Sequence, residues 1–268
     1  MITSTHNKRV ASAVRLKKRA MREKDRLFLV EGAQAVGEAL DSGADVREIY
    51  LGASAQGRYA RLLARAAERG VTVHSVSDEV MEHLTSTVTP QGLVAVSAFV
   101  DGSLDSLPRD ARFVVVLHQV RDPGNAGTIL RSADGAGADA VVFTRSSVDA
   151  YNEKTVRATA GSLFHVLIVR EVEVGRAVES LRKRGFSVLA ADPEGRRSIY
   201  EADLTGPIAV LFGNEAAGLA EEALALADDT IRVPIAGRVE SLNLAAAATV
   251  VLFEAARQRD SRTPNAFR

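Results

Sequence analysis

FVVVLHQVRDPGNAGTILRSADGAG, residues 113–137, is the stretch on which the fold turns. It opens on five consecutive apolar residues, the pattern of a parallel strand buried on both faces. A half-exposed strand would alternate instead. Pro123 and Gly124 then make a turn, Asn125 is placed to cap a helix, and Gly127 lets a partner approach the backbone closely. A buried strand, a tight turn and a helix in succession predict an α/β unit. In such units ligands bind beyond the carboxyl ends of the strands.

The same alternation continues downstream. AVVFT (140–144), HVLIVRE (165–171), FSVLAAD (186–192), PIAVLFG (207–213) and TIRVPI (230–235) read as strands. TVRATAGSL (155–163), GRAVESLRKRG (175–185), GLAEEALAL (218–226) and a long Ala-rich segment after residue 240 read as the helices between and after them. Strands separated by helices predict a mostly parallel sheet covered on both faces.

Upstream lies a smaller α/β unit. FLVEGAQAVGEALDSG (28–43) is a strand entering a helix, VREIYLG (46–52) a strand, and RYARLLARAAERG (58–70) a helix. VTVHSV (71–76), SDEVMEHLTS (77–86) and GLVAVSAFV (92–100) follow as strand, capped helix and strand. DGSLDSLPRDAR (101–112), rich in turn residues and alternating charges, reads as a linker. The expected organisation is a first domain over 1–98, a linker over 99–111 and a second domain over 112–268, with a polar, frayed tail from 259.

Composition narrows the function classes. The 268 residues carry 34 basic and 34 acidic side chains, so any nucleic-acid surface must come from local clustering. One such cluster lies in residues 1–30: Lys8, Arg9, Arg15, Lys17, Lys18, Arg19, Arg22, Lys24 and Arg26 against Glu23 and Asp25. It reads as a phosphate-binding face or as a solvated helix. There are no cysteines, which removes disulfides, thiolate metal sites and thiol nucleophiles. No apolar run reaches the roughly 18 residues of a membrane span, and the N-terminus lacks the apolar core of a signal peptide. The expectation is a soluble, cytoplasmic protein without membrane or metal.

Three strand-end loops are unusual. The first follows FVVVL and holds Asn125 and Arg131. In the second, VLFGNEAAGL (210–219), Glu215 reads as a helix-start carboxylate or a functional acid. In the third, Glu240, Ser241 and Asn243 stand where the last, apolar helix begins, and capping by Ser241 accounts for only part of this polarity. Gly135-Ala-Gly137 fits a dinucleotide fingerprint in letters only, since it ends a helix rather than opening one.

Taken together, N-x-G-x-x-x-R (125–131), L-F-G-N-E-x-x-G-L (211–219) and V-P-I-x-G-x-x-x-S-L-N-L (233–244) resemble the three ordered motifs of the SpoU, or TrmH-like, RNA 2′-O-ribose methyltransferases of the SPOUT superfamily. The resemblance covers about residues 113–258. Residues 1–100 more loosely resemble the L30e-like RNA-binding domain of the ribosomal-RNA branch, best in FLVEGAQAV.

The resemblance implies a deep trefoil knot over about 207–258, a homodimer, and S-adenosylmethionine bound in the knot. Carried over position by position, the cofactor pocket comprises Leu211, Phe212, Gly213, Val233, Pro234, Ile235, Ser241, Leu242 and Leu244. Arg131, Asn125, Glu215, Ser241 and Asn243 form the catalytic set, and Arg9, Lys17, Lys18 and Arg157 contact RNA. Arginine is a poor general base because its pKa exceeds about 12, so Arg131 is read as a clamp on the 3′-phosphate, with proton acceptance as the alternative. The chain departs from the family at His118, where an acid is commoner, and at Ala245, which is often Ser. His118 reads as a structural residue or a rival base. Ribosomal RNA is the expected substrate. A tRNA methyltransferase, a non-catalytic RNA-binding or ribosome-assembly protein and a nicotinamide oxidoreductase are the competing readings.

Overall fold

A computed structural model describes residues 1–87 and 89–260; the expected frayed tail lies mostly outside them. The chain divides into two compact units, Met1–Val100 with Tyr151–His165, and Asp101–Ala150 with the chain from Val166 onward. This differs from the contiguous boundaries the sequence suggests, in two places.

The first unit begins with two short helices, α1 (Lys8–Arg15) and α2 (Arg19–Asp25). They lead into β1 (Leu27–Glu31), α3 (Ala33–Asp41), β2 (Val46–Gly52), α4 (Ala60–Glu68), β3 (Thr72–Val76), α5 (Asp78–Leu84) and β4 (Leu93–Ala98). The sheet order is β1-β4-β2-β3; β4 runs antiparallel to both neighbours, while β2 and β3 are parallel. Val10, Ala13 and Leu16 of the N-terminal segment bury against Val80, Met81 and Leu84 of α5. Residues 151–165 join this unit because their aromatic side chains complete its core: Tyr151 stacks on Phe99 at 3.8 Å, and Phe164 on Phe28 at 6.1 Å. The Tyr151 hydroxyl also accepts from the Val100 N–H at 2.8 Å.

In the second unit, β5 (Phe113–Leu117), α6 (Pro123–Gly135) and β6 (Ala140–Thr144) precede the insertion, which holds α7 (Glu153–Thr159). Then come β7 (Leu167–Val172), α8 (Val174–Lys183), β8 (Ser187–Ala191), β9 (Arg197–Ser198), β10 (Ile208–Phe212), α9 (Glu221–Leu224), β11 (Asp229–Arg232) and α10 (Leu244–Asp260). All seven strands are parallel, in the order β7-β6-β5-β10-β8-β11-β9.

The expected linker is not free. Leu107 and Ala111 are buried in the core of this unit, and the Arg184 guanidinium donates to the carbonyls of Leu104, Leu107 and Pro108. The glycine pair taken as helix termination does end α6, and Gly137 turns the chain at φ +75°. Helix α10 lies against α6, where the Thr249 hydroxyl donates to the Ala245 carbonyl at 2.8 Å. Ser132 is therefore the donor in its 2.7 Å contact with Thr249. No helix among the described residues is long and apolar enough to cross a membrane.

Candidate active site

The carboxyl ends of β5, β10 and β11 bring the three unusual loops together. The chain leaves β5 through Gln119, which adopts a left-handed φ of +58°. That conformation is uncommon for a residue with a side chain. The Asn214 side chain holds it, donating to the Gln119 carbonyl at 2.9 Å. Through Oδ1, Asn214 also accepts from the N–H groups of Ala216 and Ala217, at 3.0 Å each, which closes the turn after β10. Glycine is required there, because a Cβ on Gly213 would lie 2.4 Å from the Gly218 carbonyl oxygen.

Helix α6 is capped by Asp122, not by Asn125. The Asp122 side chain accepts from the Asn125 N–H at 2.8 Å, and Pro123 follows in the first helical position, where its missing N–H costs nothing. This releases the Asn125 side chain for the site. Likewise α10 begins at Leu244 and is capped by Asn243, whose Oδ1 accepts from Ala245 at 2.9 Å and Ala246 at 3.2 Å. Ser241 stands outside the helix and lines a cleft instead.

A continuous chain of hydrogen bonds then crosses all three loops. Glu215 accepts from the backbone of Arg121 at 3.0 Å and of Asp122 at 2.9 Å, and from Asn125 Nδ2 at 3.2 Å. Asn125 Oδ1 in turn accepts from Asn243 Nδ2 at 3.1 Å. An ionised carboxylate only accepts, so it orients the Asn125 amide, which then orients Asn243. Partial burial works against the charged carboxylate. The donors from Arg121, Asp122 and Asn125, with its own N–H, outweigh that and hold Glu215 below the ordinary carboxylate range.

Beside this chain lies a cleft lined by Phe212, Gly213, Val233, Ile235, Ser241, Leu242 and Leu244, with Asp192, Asn214 and Glu215 as polar members. Two expected pocket residues are not part of the lining. Alternate residues of a strand face opposite sides, and Leu211 is fully buried among Val114, Val116 and Val188 on the other side of β10. Pro234 is exposed to solvent between Val233 and Ile235. Arg131 also lies outside the cleft lining: it is exposed on α6 and has no hydrogen-bond or ion-pair partner among the described residues.

His118 is withdrawn from the site. It is buried, and its Nδ1 lies 3.2 Å from the Thr144 hydroxyl. Ser147 donates to the Leu117 carbonyl at 2.8 Å and so accepts from Thr144, which leaves Nδ1–H as the donor to Thr144. Burial pushes the imidazole below its ordinary 6.5, against a smaller opposite pull from Glu173. The unfolded chain then binds the extra proton first, so this contribution to stability is complete above 6.5 and declines as pH falls below it. The melting temperature of the protein is expected to fall more between pH 7 and 5 than that of His118→Gln; parallel curves would refute a neutral, buried imidazole.

The expected RNA contacts, all in the first unit, are partly spent internally. Lys17 donates to the carbonyls of His83 and Thr85, at 3.0 and 2.7 Å, closing the end of α5. Arg9 lies 3.7 Å from Glu48, and Arg157 bonds Glu31 at 3.1 Å and Ser86 at 2.6 Å. Lys18 remains exposed. Arg22, counted in the basic cluster, is buried and donates to the carbonyls of Leu16 and Lys17.

Sequence reasoning gave no role to Asp122 or Asp192, and none to Asn214 beyond its place in the second motif. Asp and Asn in strand-end turns are the available signal, because their short side chains cap neighbouring N–H groups.

Residues 112–253 match the SpoU rRNA Methylase family. The chain belongs to this family. Residues 7–95 match the MRM3-like substrate binding domain. A 23S rRNA (guanosine(2553)-2'-O)-methyltransferase, RlmP, of Bacillus subtilis (strain 168) is 33% identical over 94% of this chain and 97% of its own length. A 23S rRNA (uridine(2479)-2'-O)-methyltransferase of Streptomyces viridochromogenes is 36% identical over 87% of this chain and 84% of its own. Among solved structures, an AdoMet-bound rRNA methyltransferase from Sinorhizobium meliloti aligns with a TM-score of 0.85 at 33% identity, covering 96% of this chain and 97% of its own. The SpoU methyltransferase AviRb from Streptomyces viridochromogenes, in complex with AdoMet, gives 0.85 at 31% identity over 95% of this chain and all of its own. The second unit thus has the SpoU fold.

The SpoU cleft of this chain suits a sulfonium cofactor. Its walls include the apolar side chains of Phe212, Val233, Ile235, Leu242 and Leu244, which suit the face of an adenine ring. None of the described residues lining it is Lys or Arg, whereas two are acidic. That balance favours a cationic ligand and disfavours the pyrophosphate of a nicotinamide dinucleotide.

Proposed function

We propose that this SpoU-family chain transfers a methyl group from S-adenosylmethionine to a ribose 2′-hydroxyl of 23S ribosomal RNA. The observation that carries this reading is the Asn243–Asn125–Glu215 chain, which joins all three motif loops beside a cleft suited to the cofactor. When bound, the cofactor supplies an electrophilic methyl carbon. The protein's part is to hold the groups in line, let the hydroxyl proton leave as the oxygen–carbon bond forms and the carbon–sulfur bond breaks, and keep water out.

In this reading Phe212, Gly213, Val233, Ile235, Ser241, Leu242 and Leu244 hold the cofactor, within the knot expected over 207–258. Asn125, Glu215 and Asn243 fix the entrance to α6. Arg131 reaches from α6 to the 3′-phosphate of the target nucleotide, where its planar fork offers paired donors. His118 is not assigned as the base, because it is buried and is not among the described residues lining the cleft. In the first unit, Lys18 is the RNA contact most readily available, and Arg9 and Arg157 would exchange a carboxylate partner for phosphate. The setting is cytoplasmic.

The test is transfer of labelled methyl from S-adenosylmethionine to 23S rRNA, followed by alkaline hydrolysis. A label retained in an alkali-resistant dinucleotide supports ribose methylation. Label in tRNA alone would move the substrate assignment, and cofactor binding without transfer to any RNA or subunit would favour an assembly factor.

The working form is taken to be a homodimer. Phe253 of α10 is 49% exposed, and a Cβ on Gly135 of α6 would meet its ring at 3.4 Å, so both helices contribute to this outer face. Aromatic residues, Phe among them, are enriched in the cores of protein interfaces. Light scattering is expected to give twice the chain mass for the wild type and the monomer mass for Phe253→Glu. A monomeric wild type would remove the dimer from the proposal.

A further inference from the structure

The end of β8 carries a carboxylate that belongs to none of the three motif loops. Asp192 lines the same cleft as Gly213, Val233 and Leu242. Of the described residues lining it, only Asp192 and Glu215 are acidic. Glu215 is already committed, since both of its oxygens accept from the turn before α6.

Asp192 is placed differently. Its Oδ1 accepts from the Glu194 N–H at 2.7 Å, and no hydrogen bond among the described residues reaches Oδ2. The turn that bears it is held against β11. The Asp192 N–H donates to the Ile231 carbonyl at 2.9 Å, and the Gly195 N–H returns to the Asp192 carbonyl at 3.0 Å. Arg232 donates to the Gly195 carbonyl at 2.6 Å. A Cβ on Gly195 would lie 2.5 Å from the Ile231 carbonyl carbon, so the turn lies flat on the strand. Asp192 is therefore a pre-positioned acceptor with one oxygen to spare.

An adenosyl ligand offers few donors to such a group. Its adenine is mostly acceptor edge and apolar face, which suits the cleft's apolar walls. The two vicinal ribose hydroxyls are neutral donors close enough together to address one carboxylate. Dinucleotide-binding sheets use an acidic residue on the ribose in the same way. We propose that Asp192 accepts hydrogen bonds from the ribose cis-diol of S-adenosylmethionine, which makes it the residue that selects a ribo-adenosyl over a deoxyribo-adenosyl ligand. This assignment rests on the cofactor reading above.

The test is calorimetric binding of S-adenosylhomocysteine and of its 2′-deoxy and 3′-deoxy forms to the full chain, as wild type and as Asp192→Asn. Asparagine keeps an oxygen for the Glu194 N–H, so the turn survives, and a melting curve checks that it does. Removing a hydroxyl from the ligand is expected to weaken wild-type binding about 10- to 100-fold, the range of a hydrogen bond to a charged group. Asp192→Asn is expected to bind the parent ligand weaker by a similar factor and to lose little more when the hydroxyl is absent.

That non-additivity identifies the contact, because a merely loosened turn would weaken every ligand by one factor. Equal losses for all three ligands, or undiminished parent affinity in Asp192→Asn, would overturn the assignment while leaving the cofactor reading intact. A wild type that binds none of the three overturns both.

Discussion

Arg131→Ala is expected to lower the rate of methyl transfer by about 10²-fold, the cost of a reacting ribose no longer held in line through its 3′-phosphate. Cofactor affinity and melting temperature are expected to stay at wild-type values. The guanidinium is exposed, makes no hydrogen bond or ion pair among the described residues and does not line the cleft, so its removal takes nothing from the folded chain. Exposed substitutions of this kind usually change stability by less than about 0.5 kcal/mol. An exposed arginine beside a well-bonded loop gains its partner only when substrate arrives. Arg131→Lys is expected to recover part of the loss, since it keeps the charge but not the planar fork. Single-turnover transfer with saturating cofactor reads the effect directly. A wild-type rate in Arg131→Ala, or an equal loss of cofactor affinity, would remove the residue from the phosphate-clamp role.

Much of the fold was legible because period and composition agreed. VREIYLG is β2 residue for residue, and Ser77 caps α5 as its position suggests. The all-apolar FVVVL is a central strand with a parallel neighbour on each side. What could not be read depends on partners distant in sequence. Tyr151 and Phe164 sit in a segment that reads like any other helix-bearing connection, and only the ring stacking with Phe99 and Phe28 assigns them to the first unit. Lys17 and Arg22 look like free surface charge until the carbonyls they close off are seen. The site shows the same division. Strand-end loops with glycine and short polar residues marked the place, but which residue caps and which faces inward was decided by competition. Asp122 takes the cap of α6 and Asn243 that of α10, which frees Asn125 to join two loops and leaves Ser241 to the cleft.

Glu215→Gln, a change of one atom, is expected to cost methyl transfer on the order of 10²-fold, the penalty for a small misplacement of reacting groups. A carboxamide has one acceptor where Glu215 has two. If its NH₂ replaces Oε2, the Arg121 N–H faces a donor and loses its partner. If it replaces Oε1, the Asp122 N–H is stranded and Asn125 must turn its amide over. Asn125 would then present a donor to Asn243 Nδ2, and Asn243 could answer only by inverting too, giving up the bonds that cap α10. Either rotamer breaks a chain whose polarity the carboxylate alone sets. The loss of stability is expected to be smaller, about 1–2 kcal/mol, because these groups are partly open to water and regain hydrogen bonds there. Acid should erase that difference. The folded carboxyl sits below its ordinary range, so its contribution is present above the unfolded pKa of about 4.3 and is lost as pH falls through the folded value. Melting curves of the two proteins should therefore differ at pH 7 and converge in strong acid, while the deficit in methyl transfer persists at neutral pH. A gap that stays constant into acid, or a Gln variant that transfers methyl at the wild-type rate, would show that the carboxylate does not organise these loops.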